Sequence, residues 1–308
     1  ALAVKNPELI YATPLNNNII SIAFPLKLGG WNGLGITQKL IDAYYMKDGE
    51  DYVQQPDYYE EAGTVPTIAT GYELRPTVAK MYLDREPRFY ASIGFCECFW
   101  PATSVTGTEA PNVTNFTAGY YVNGNCAKQA ANPEDYNLTG YTLKKYIHPE
   151  DNCTSHTGAK IKPKTFPVFR YAEIMMMKAE CLLRTGKSGA GTLVTQVRQR
   201  AFKDNPELAT VTDSQLAGNT CYQYGYVEDY KIVDRGNTDP IQFGRMYDEL
   251  GWEFAWEMHR RRDAIRFGIY TTKSWLSHKP EGDYRSVFPI PETVLTSNPN
   301  LEQNPNYL

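Results

Sequence analysis

The chain has 308 residues, 42% of them hydrophobic and 21% charged, which excludes a disordered polypeptide and is enough for a sizeable core. The formal net charge is −4 and no long basic run occurs, so non-specific nucleic-acid binding through clustered Lys and Arg is excluded. No run of about 18 apolar residues occurs, and the opening "ALAVKNPELI" lacks the charged and apolar parts of a signal peptide, so neither a membrane-spanning helix nor a leader is expected in it.

In chain order, residues 1 to about 50 join a short apolar run, "IISIAFPL", to a Gly-rich turn, "LGGWNGLG". The segment "ITQKLIDAYYMKDG" follows and reads as a helix, with Thr37 as its N-cap and Asp48-Gly49 as its stop. Residues 51 to about 165 are rich in Pro, Gly, Asn and Thr. Their strand-like pieces, "RFYASIGF", "GYYVNG" and "GYTLKKYI", are short, which predicts a loop-heavy region with a few hairpins. Ordered loops of this kind often carry binding residues.

From residue 166 the pattern turns helical. In "RYAEIMMMKAECLLRTG", Ala172, Met175, Met176, Ala179, Leu182 and Leu183 recur at helical spacing. The methionines therefore read as core filling rather than as a metal or peptide surface. "TGKSGAG" breaks the helix, and "TLVTQVRQRAF" supplies another, with Leu193, Val194, Val197 and Ala201 on one face. Arg170 to Phe202 is predicted to be a helical hairpin, close to the roughly 34 residues of one tetratricopeptide unit. A single unit cannot bury its own face and needs further helices to cover it. A polar insert with the Tyr-rich patch "CYQYGYVEDY" separates the hairpin from the next helical stretch.

That stretch, "ELGWEFAWEMHRRRDAIRFG", spans residues 249 to 268. On one continuous helix, Leu250, Phe254, Met258 and Ile265 would line the core side. Trp252 and Trp256 would form another stripe near His259. Glu249, Glu253 and Glu257 fall four apart and would repel one another unless cations interleave. Arg260 and Arg261, just beyond Glu257, are expected to provide them, and Asp263 to pair with a neighbouring arginine. Glycoside cleavage needs two carboxyl groups roughly 5 to 9 Å apart on opposite sides of a substrate, which one helix face does not offer. The chain has four histidines, none at i, i+4 from another, and no H-E-x-x-H. The residues therefore favour a buried Glu–Arg network of Glu249, Glu253, Glu257, Arg260 and Arg261 that orients the helix.

No G-x-S-x-G, P-loop or G-x-G-x-x-G occurs, so no catalytic residue and no cofactor is assigned. Of the six cysteines, Cys96 and Cys98 form C-x-C, and Cys126, Cys153, Cys181 and Cys221 are widely spaced. Without a C-x-x-C pair, no zinc or other metal site is expected. Cys126 with Cys153 would close a loop in an oxidising compartment, and Cys181 reads as a small buried hydrophobe. Asp48, Glu50 and Asp51 read as a solvated turn rather than a cation site. Asn112, Asn115, Asn137 and Asn152 begin N-x-T triplets, which mark surface loops at most.

Eight blocks in order carry a wider resemblance: "NPELIYAT", "ITQKLIDAYYMKDG", "DREPRFYASI", "TGYTLKKYIHP", "FPVFRYAEIMMMKAECL", "VTQVRQRAF", "ELGWEFAWEMHRRRDAIRFG" and "FPIPETVLTSNPNLEQNPNYL". Together they resemble the SusD/RagB family of nutrient-binding outer-membrane lipoproteins. The resemblance implies a mainly α fold, with tetratricopeptide-like helix pairs, a loop-rich ligand-binding region and a few short strands. It implies that residues 1–308 are the C-terminal part of a single SusD-like domain. Residues 1–165 would be its loop-rich ligand-binding region, 166–268 its helical scaffold and 269–308 an extended tail. It implies a non-catalytic cell-surface protein of Bacteroidetes-type bacteria, held to the outer membrane by a lipid anchor that lies outside this chain. Its partners would be an oligosaccharide, or alternatively a peptide, and a SusC-like TonB-dependent transporter to which the ligand is passed. A glycoside hydrolase using Glu253 and a tetratricopeptide adaptor are the competing readings.

Sugar rings stack on flat aromatic faces while amides take their hydroxyls. Aromatics outside any core periodicity are therefore the ligand candidates: Trp31 with Asn32 in the Gly-rich turn, Tyr58 and Tyr59 after a proline, and Trp100 before Pro101. Tyr222, Tyr224 and Tyr226 alternate in the polar insert and suit either a ligand or a partner contact.

Overall fold

The computed structural model describes residues 6–24, 30, 31, 33–47, 49, 60, 63, 78–95, 98, 139–148, 150, 151, 161–203, 205–229 and 231–307. Among these, helices dominate and strands are short, in keeping with the mainly α expectation. In chain order they are β1 (Leu9–Pro14), α1 (Asn17–Ala23), α2 (Gln38–Ala43), α3 (Pro87–Ser92), β2 (Ile93–Gly94), β3 (Thr142–Leu143), β4 (Thr165–Arg170), α4 (Tyr171–Arg184) and α5 (Ala190–Gln199). Then come α6 (Asp213–Leu216), β5 (Gly225–Glu228), β6 (Lys231–Asp234), α7 (Gly244–Glu253), α8 (Arg260–Arg266), β7 (Trp275–Leu276) and α9 (Glu292–Ser297). Antiparallel pairs β1–β4 and β2–β3 and a three-stranded sheet ordered β6-β5-β7 complete the architecture. No helix among the described residues is long and apolar enough to cross a membrane.

The α4–α5 hairpin forms where the apolar spacing places it. Ala172, Met176, Ala179 and Leu183 are buried along α4 and face Val194 and Val197 of α5 in one cluster. Gly186, in the left-handed region at φ 65°, ends α4 at no steric cost. The start of α5 is fixed by Asp213, whose carboxylate accepts from the backbone N–H groups of Gly189 and Gly191. A Cβ at Gly191 would stand 2.5 Å from the Val211 carbonyl oxygen, so only glycine lets α5 approach the Val211–Asp213 backbone this closely.

Two apolar clusters meet on α7. Met246, Leu250 and Phe254 join the α4–α5 cluster. Trp252 turns the other way, into a cluster of Ile20, Phe24, Tyr44, Tyr82, Phe89 and Phe95 among others. This helix therefore ties the N-terminal elements to the helical hairpin.

Four local expectations are corrected. Residues 249–268 do not form one helix: α7 ends at Glu253 and α8 begins at Arg260, with Trp256 and Met258 at φ 67° and 63° between them. Side chains from elsewhere satisfy the freed carbonyls: Lys145 donates to the Glu253 and Ala255 oxygens and Arg170 to that of Glu253. The break throws Met258 outward, and it is 83% exposed instead of lining the core. "RFYASIGF" is helical through Ser92, because Pro87 sits in the first turn of α3, where its missing N–H costs nothing. The helix expected to reach Asp48-Gly49 stops at Ala43, where the Arg85 guanidinium takes the Ile41 and Tyr44 carbonyls, and Thr37 caps its start without a side-chain hydrogen bond. Cys181 is exposed rather than buried, because it falls between the core stripe and the outer face of α4.

Near the C-terminus an amide clip closes the chain around α9. The Gln303 side chain accepts from the Ile290 N–H at 2.8 Å and donates to the Ile290 carbonyl at 2.9 Å. This bond pair brings the "FPIP" and "LEQNP" segments together around α9.

Candidate functional site

The three carboxylates of the acidic stretch are buried, with Glu249 1%, Glu253 3% and Glu257 3% exposed. Glu249 accepts from Arg88 at 2.9 Å and also pairs with Arg198. Glu253 pairs with Arg170 at 2.9 Å and with Arg200. Glu257 pairs with Arg170 at 2.8 Å and with Lys145. Arg88 also holds Glu86 at 2.8 Å, and Arg170 holds Glu8 at 2.7 Å. Burial alone would raise the Glu249 carboxyl, but the Arg198 and Arg88 charges outweigh it and the net shift is downward. The same balance, with Arg170 and Arg200 as the leading cations, lowers Glu253.

The cations differ from those expected. Arg260 and Arg261 pair with no carboxylate among the described residues, because the break before α8 aims them elsewhere. Arg260 lies 3.5 Å from the Tyr247 ring centroid and 4.6 Å from that of Tyr222, and its Nη1 donates to the Tyr247 carbonyl at 2.8 Å. It can lie along α7 because residue 251 is glycine; a Cβ there would meet Arg260 Nη1 at 2.6 Å. Arg261 donates to the Arg285 carbonyl at 2.9 Å and lies 4.1 Å from the Phe288 ring centroid. The cations that clasp the acids come from α3, the segment after β3, the end of β4, and α5, far away in sequence. Asp263 does pair with a neighbour, Arg266, at 3.0 Å.

The opposite side of the α7–α8 stretch borders a cleft of about 730 Å³. Its aromatic walls include Tyr146, Tyr222, Tyr224, Trp256, Tyr270 and Trp275, and α2 adds Lys39 and Leu40. Tyr222 and Tyr224 stack with centroids 6.0 Å apart and planes 29° apart, and Tyr224 meets Trp275 edge-on at 6.1 Å. Leu250, Gly251 and Phe254 face this cleft, whereas Glu249, Glu253 and Glu257 do not line it. One helical stretch thus presents an apolar face to the cleft and an acidic face to the arginines.

Of the sequence candidates, Tyr222 and Tyr224 come together in the cleft, while Tyr226 lies apart with the Lys279 ammonium 3.8 Å from its ring centroid. Trp31 is half-buried, and its backbone N–H donates to the Ser21 carbonyl at 3.0 Å. Asn32, Tyr58, Tyr59 and Trp100 lie outside the described residues, as do Asp48, Glu50, Asp51, Cys96, Cys126, Cys153, Asn112, Asn115, Asn137 and Asn152. Cys181 is a free thiol. Among the described residues no group of three His, Cys, Asp or Glu could hold a metal. Sequence reasoning missed Lys39, Tyr146, Tyr270 and Trp275. Tyr270 and Trp275 carried a usable signal, since both are aromatics outside any apolar period.

Beside the cleft, Asp248 is fully buried, accepting from Thr220 Oγ1 and from the Cys221 N–H at 2.8 Å. Burial raises its carboxyl from 3.8 to about 6, against the hydrogen bonds and the Arg260 charge. A folded-state value above the unfolded one means that its stabilising contribution is fully present below pH 3.8 and is lost as pH rises through about 6. Asp248→Asn, whose amide can accept from the Cys221 N–H and donate to Thr220 Oγ1, is expected to gain about 1–3 kcal/mol over the parent at pH 8, with the gain vanishing near pH 4. Urea denaturation across that range tests this; a gain that does not change with pH contradicts it.

The SusD family model matches residues 11–307. The SusD-like protein P25 of Formosa agariphila is 33% identical over 142 residues, 44% of this chain and 22% of that protein. The starch-binding protein SusD of Bacteroides thetaiotaomicron is 28% identical over 176 residues, 54% of this chain and 26% of that protein. The crystal structure of a SusD-like protein from Bacteroides fragilis superposes with a TM-score of 0.61 at 24% identity, covering 100% of this chain and 56% of that one. A SusD-like carbohydrate binding protein from the same species gives 0.56 at 16% identity, covering 97% and 55%. The chain therefore spans about a quarter of the curated relatives' length and just over half of these solved structures. A match along nearly the whole sequence, with the fold shared at low identity, leads to one conclusion: this chain belongs to the SusD family.

Proposed function

We propose that this chain is part of a non-catalytic glycan-binding protein at the cell surface, held to the outer membrane by a lipid anchor, which passes an oligosaccharide to a SusC-like TonB-dependent transporter. The observation that carries the reading is the family match over residues 11–307. The name of the Bacteroides thetaiotaomicron relative, a starch-binding protein, points to sugar as the ligand class. The geometry of the acidic stretch supports binding without turnover. A glycosidase needs one carboxyl free to protonate a leaving group and another facing the sugar. Glu249, Glu253 and Glu257 are instead turned into guanidinium groups and away from the cleft.

The proposed ligand contacts in the loop-rich region are Trp31, Asn32, Tyr58, Tyr59 and Trp100. Ring stacking and amide hydrogen bonds would share the work, and affinity stays modest because sugar hydroxyls must shed water on binding. In a glycan array followed by calorimetric titration, Trp31→Ala or Trp100→Ala is expected to weaken binding by about tenfold, with the thermal midpoint preserved. Full binding by both variants would remove these residues from the site. Absence of binding to any oligosaccharide would overturn the function itself.

A further inference from the structure

We propose that the aromatic cleft at the α7–α8 junction is a site for an acidic oligosaccharide, one bearing a carboxylate or a sulfate ester. The proposal rests on the glycan-binding reading above and adds the ligand's charge and its place.

The carrying observation is an imbalance of charge. The described residues lining the cleft include Lys39, Arg260 and Arg261 but no Asp or Glu. Three buried guanidinium groups elsewhere, Arg88, Arg170 and Arg198, each hold a buried carboxylate, whereas buried Arg85 donates to backbone carbonyls. Arg262 and Arg266, flanking the same turn of helix, hold Glu173 and Glu180. Among the described residues, Arg260 and Arg261 have only backbone carbonyls and ring faces.

Two buried polar atoms in the cleft walls lack any hydrogen bond, Arg260 Nη2 and the Tyr222 hydroxyl. Orphaned buried donors cost free energy, and an orphaned donor on a cation costs most. The guanidinium carbon lies 4.6 Å from the Tyr222 ring centroid, so the two orphans belong to one neighbourhood. Asp248, the acid whose charge acts on Arg260, has its oxygens committed to Thr220 and Cys221. His259, which also lines the cleft, faces Glu173 and Arg262.

Lys39 makes no ion pair among the described residues, and its ammonium lies 5.6 Å from the Tyr224 ring centroid. Asp42, one turn along α2, takes a hydrogen bond from Gln38 at 2.7 Å instead. Burial pulls Lys39 down to about 8, with Asp42 opposing and Arg235 adding to the fall. An anion in the cleft would favour the charged form of Lys39 and give Arg260 the partner it lacks, through charge-assisted bonds that neutral sugars cannot match. The Tyr222–Tyr224 pair and Trp275 offer ring faces for the sugar itself.

The test is calorimetric titration of the protein with three oligosaccharides of equal length, one neutral, one containing uronate and one sulfated, repeated on Lys39→Gln and Arg260→Gln. At least one acidic ligand is expected to bind about tenfold tighter than the neutral one at low salt. That preference should fall to near parity in Lys39→Gln and in Arg260→Gln, each read where the thermal midpoint of the parent is retained. The uronate and sulfate arms decide which anion the site prefers. Equal binding of neutral and acidic ligands, or an acidic preference untouched by Lys39→Gln, overturns this inference and leaves the glycan-binding function standing. No binding by any of the three in any form removes both.

Discussion

Arg170→Met lowers the free energy of unfolding by about 3–5 kcal/mol, the cost of stranding buried carboxylates. Arg170 sits at the end of β4 and donates to Glu8 at 2.7 Å, Glu253 at 2.9 Å and Glu257 at 2.8 Å, and its guanidinium lies 4.6 Å from the Phe254 ring centroid. Methionine keeps much of the apolar volume and removes the charge. Glu253 then retains Arg200, which is half exposed, and Glu257 retains Lys145. The pH dependence has a defined sign. In the parent, Glu253 titrates below its unfolded value of 4.5, so its contribution is present above that pH and is lost as pH falls through the folded-state value. In the variant, burial is opposed by fewer cations and the carboxyl shifts upward. The stability gap is therefore widest at neutral pH and narrows in acid. Urea denaturation at pH 7 and pH 4 measures both; a gap below about 1 kcal/mol at pH 7 would mean the network contributes little.

Trp252→Ala should cost a similar amount, about 3–5 kcal/mol, for a different reason. Trp252 is 1% exposed and projects from α7 into the N-terminal cluster. Its ring meets Tyr45 edge-on at 4.1 Å and Tyr44 at 6.1 Å, and the Arg88 guanidinium lies 5.6 Å from its centroid. Truncation opens a cavity where the largest side chain of α7 enters that cluster. Trp252→Phe should recover at least half of the loss, because a smaller ring still fills part of the space. Equal losses for Ala and Phe in denaturant titrations would show that the cost comes from something other than packing.

The parts of the fold legible in the sequence are those set by local periodicity. The α4–α5 hairpin follows from apolar residues three and four apart, and Gly186 ends its first helix as glycine usually does. Features decided by distant residues were not legible. The interruption after Glu253 depends on Lys145 and Arg170 taking carbonyls that a continuous helix would have paired. The sequence displayed Glu249, Glu253 and Glu257 on one face, but their cations lie on four other segments, 51 to 161 residues away, a distance at which spacing reveals no partner. Arg260 and Arg261 were adjacent and available, yet a left-handed turn at Trp256 and Met258 sends them to ring faces and carbonyls. The cleft was half visible: the alternation of Tyr222 and Tyr224 marked an unusual surface, whereas Lys39 sits in an ordinary amphipathic helix with nothing local to single it out.

The most direct test of the proposed function is equilibrium dialysis of the protein against a bound oligosaccharide, with the recovered sugar weighed by mass spectrometry. The account predicts saturable binding and a ligand recovered at its starting length, in the parent and in Glu253→Gln alike wherever the variant folds. Shortened products formed by the parent and lost in Glu253→Gln would contradict it, and would make the buried carboxylate a catalyst instead of a strut.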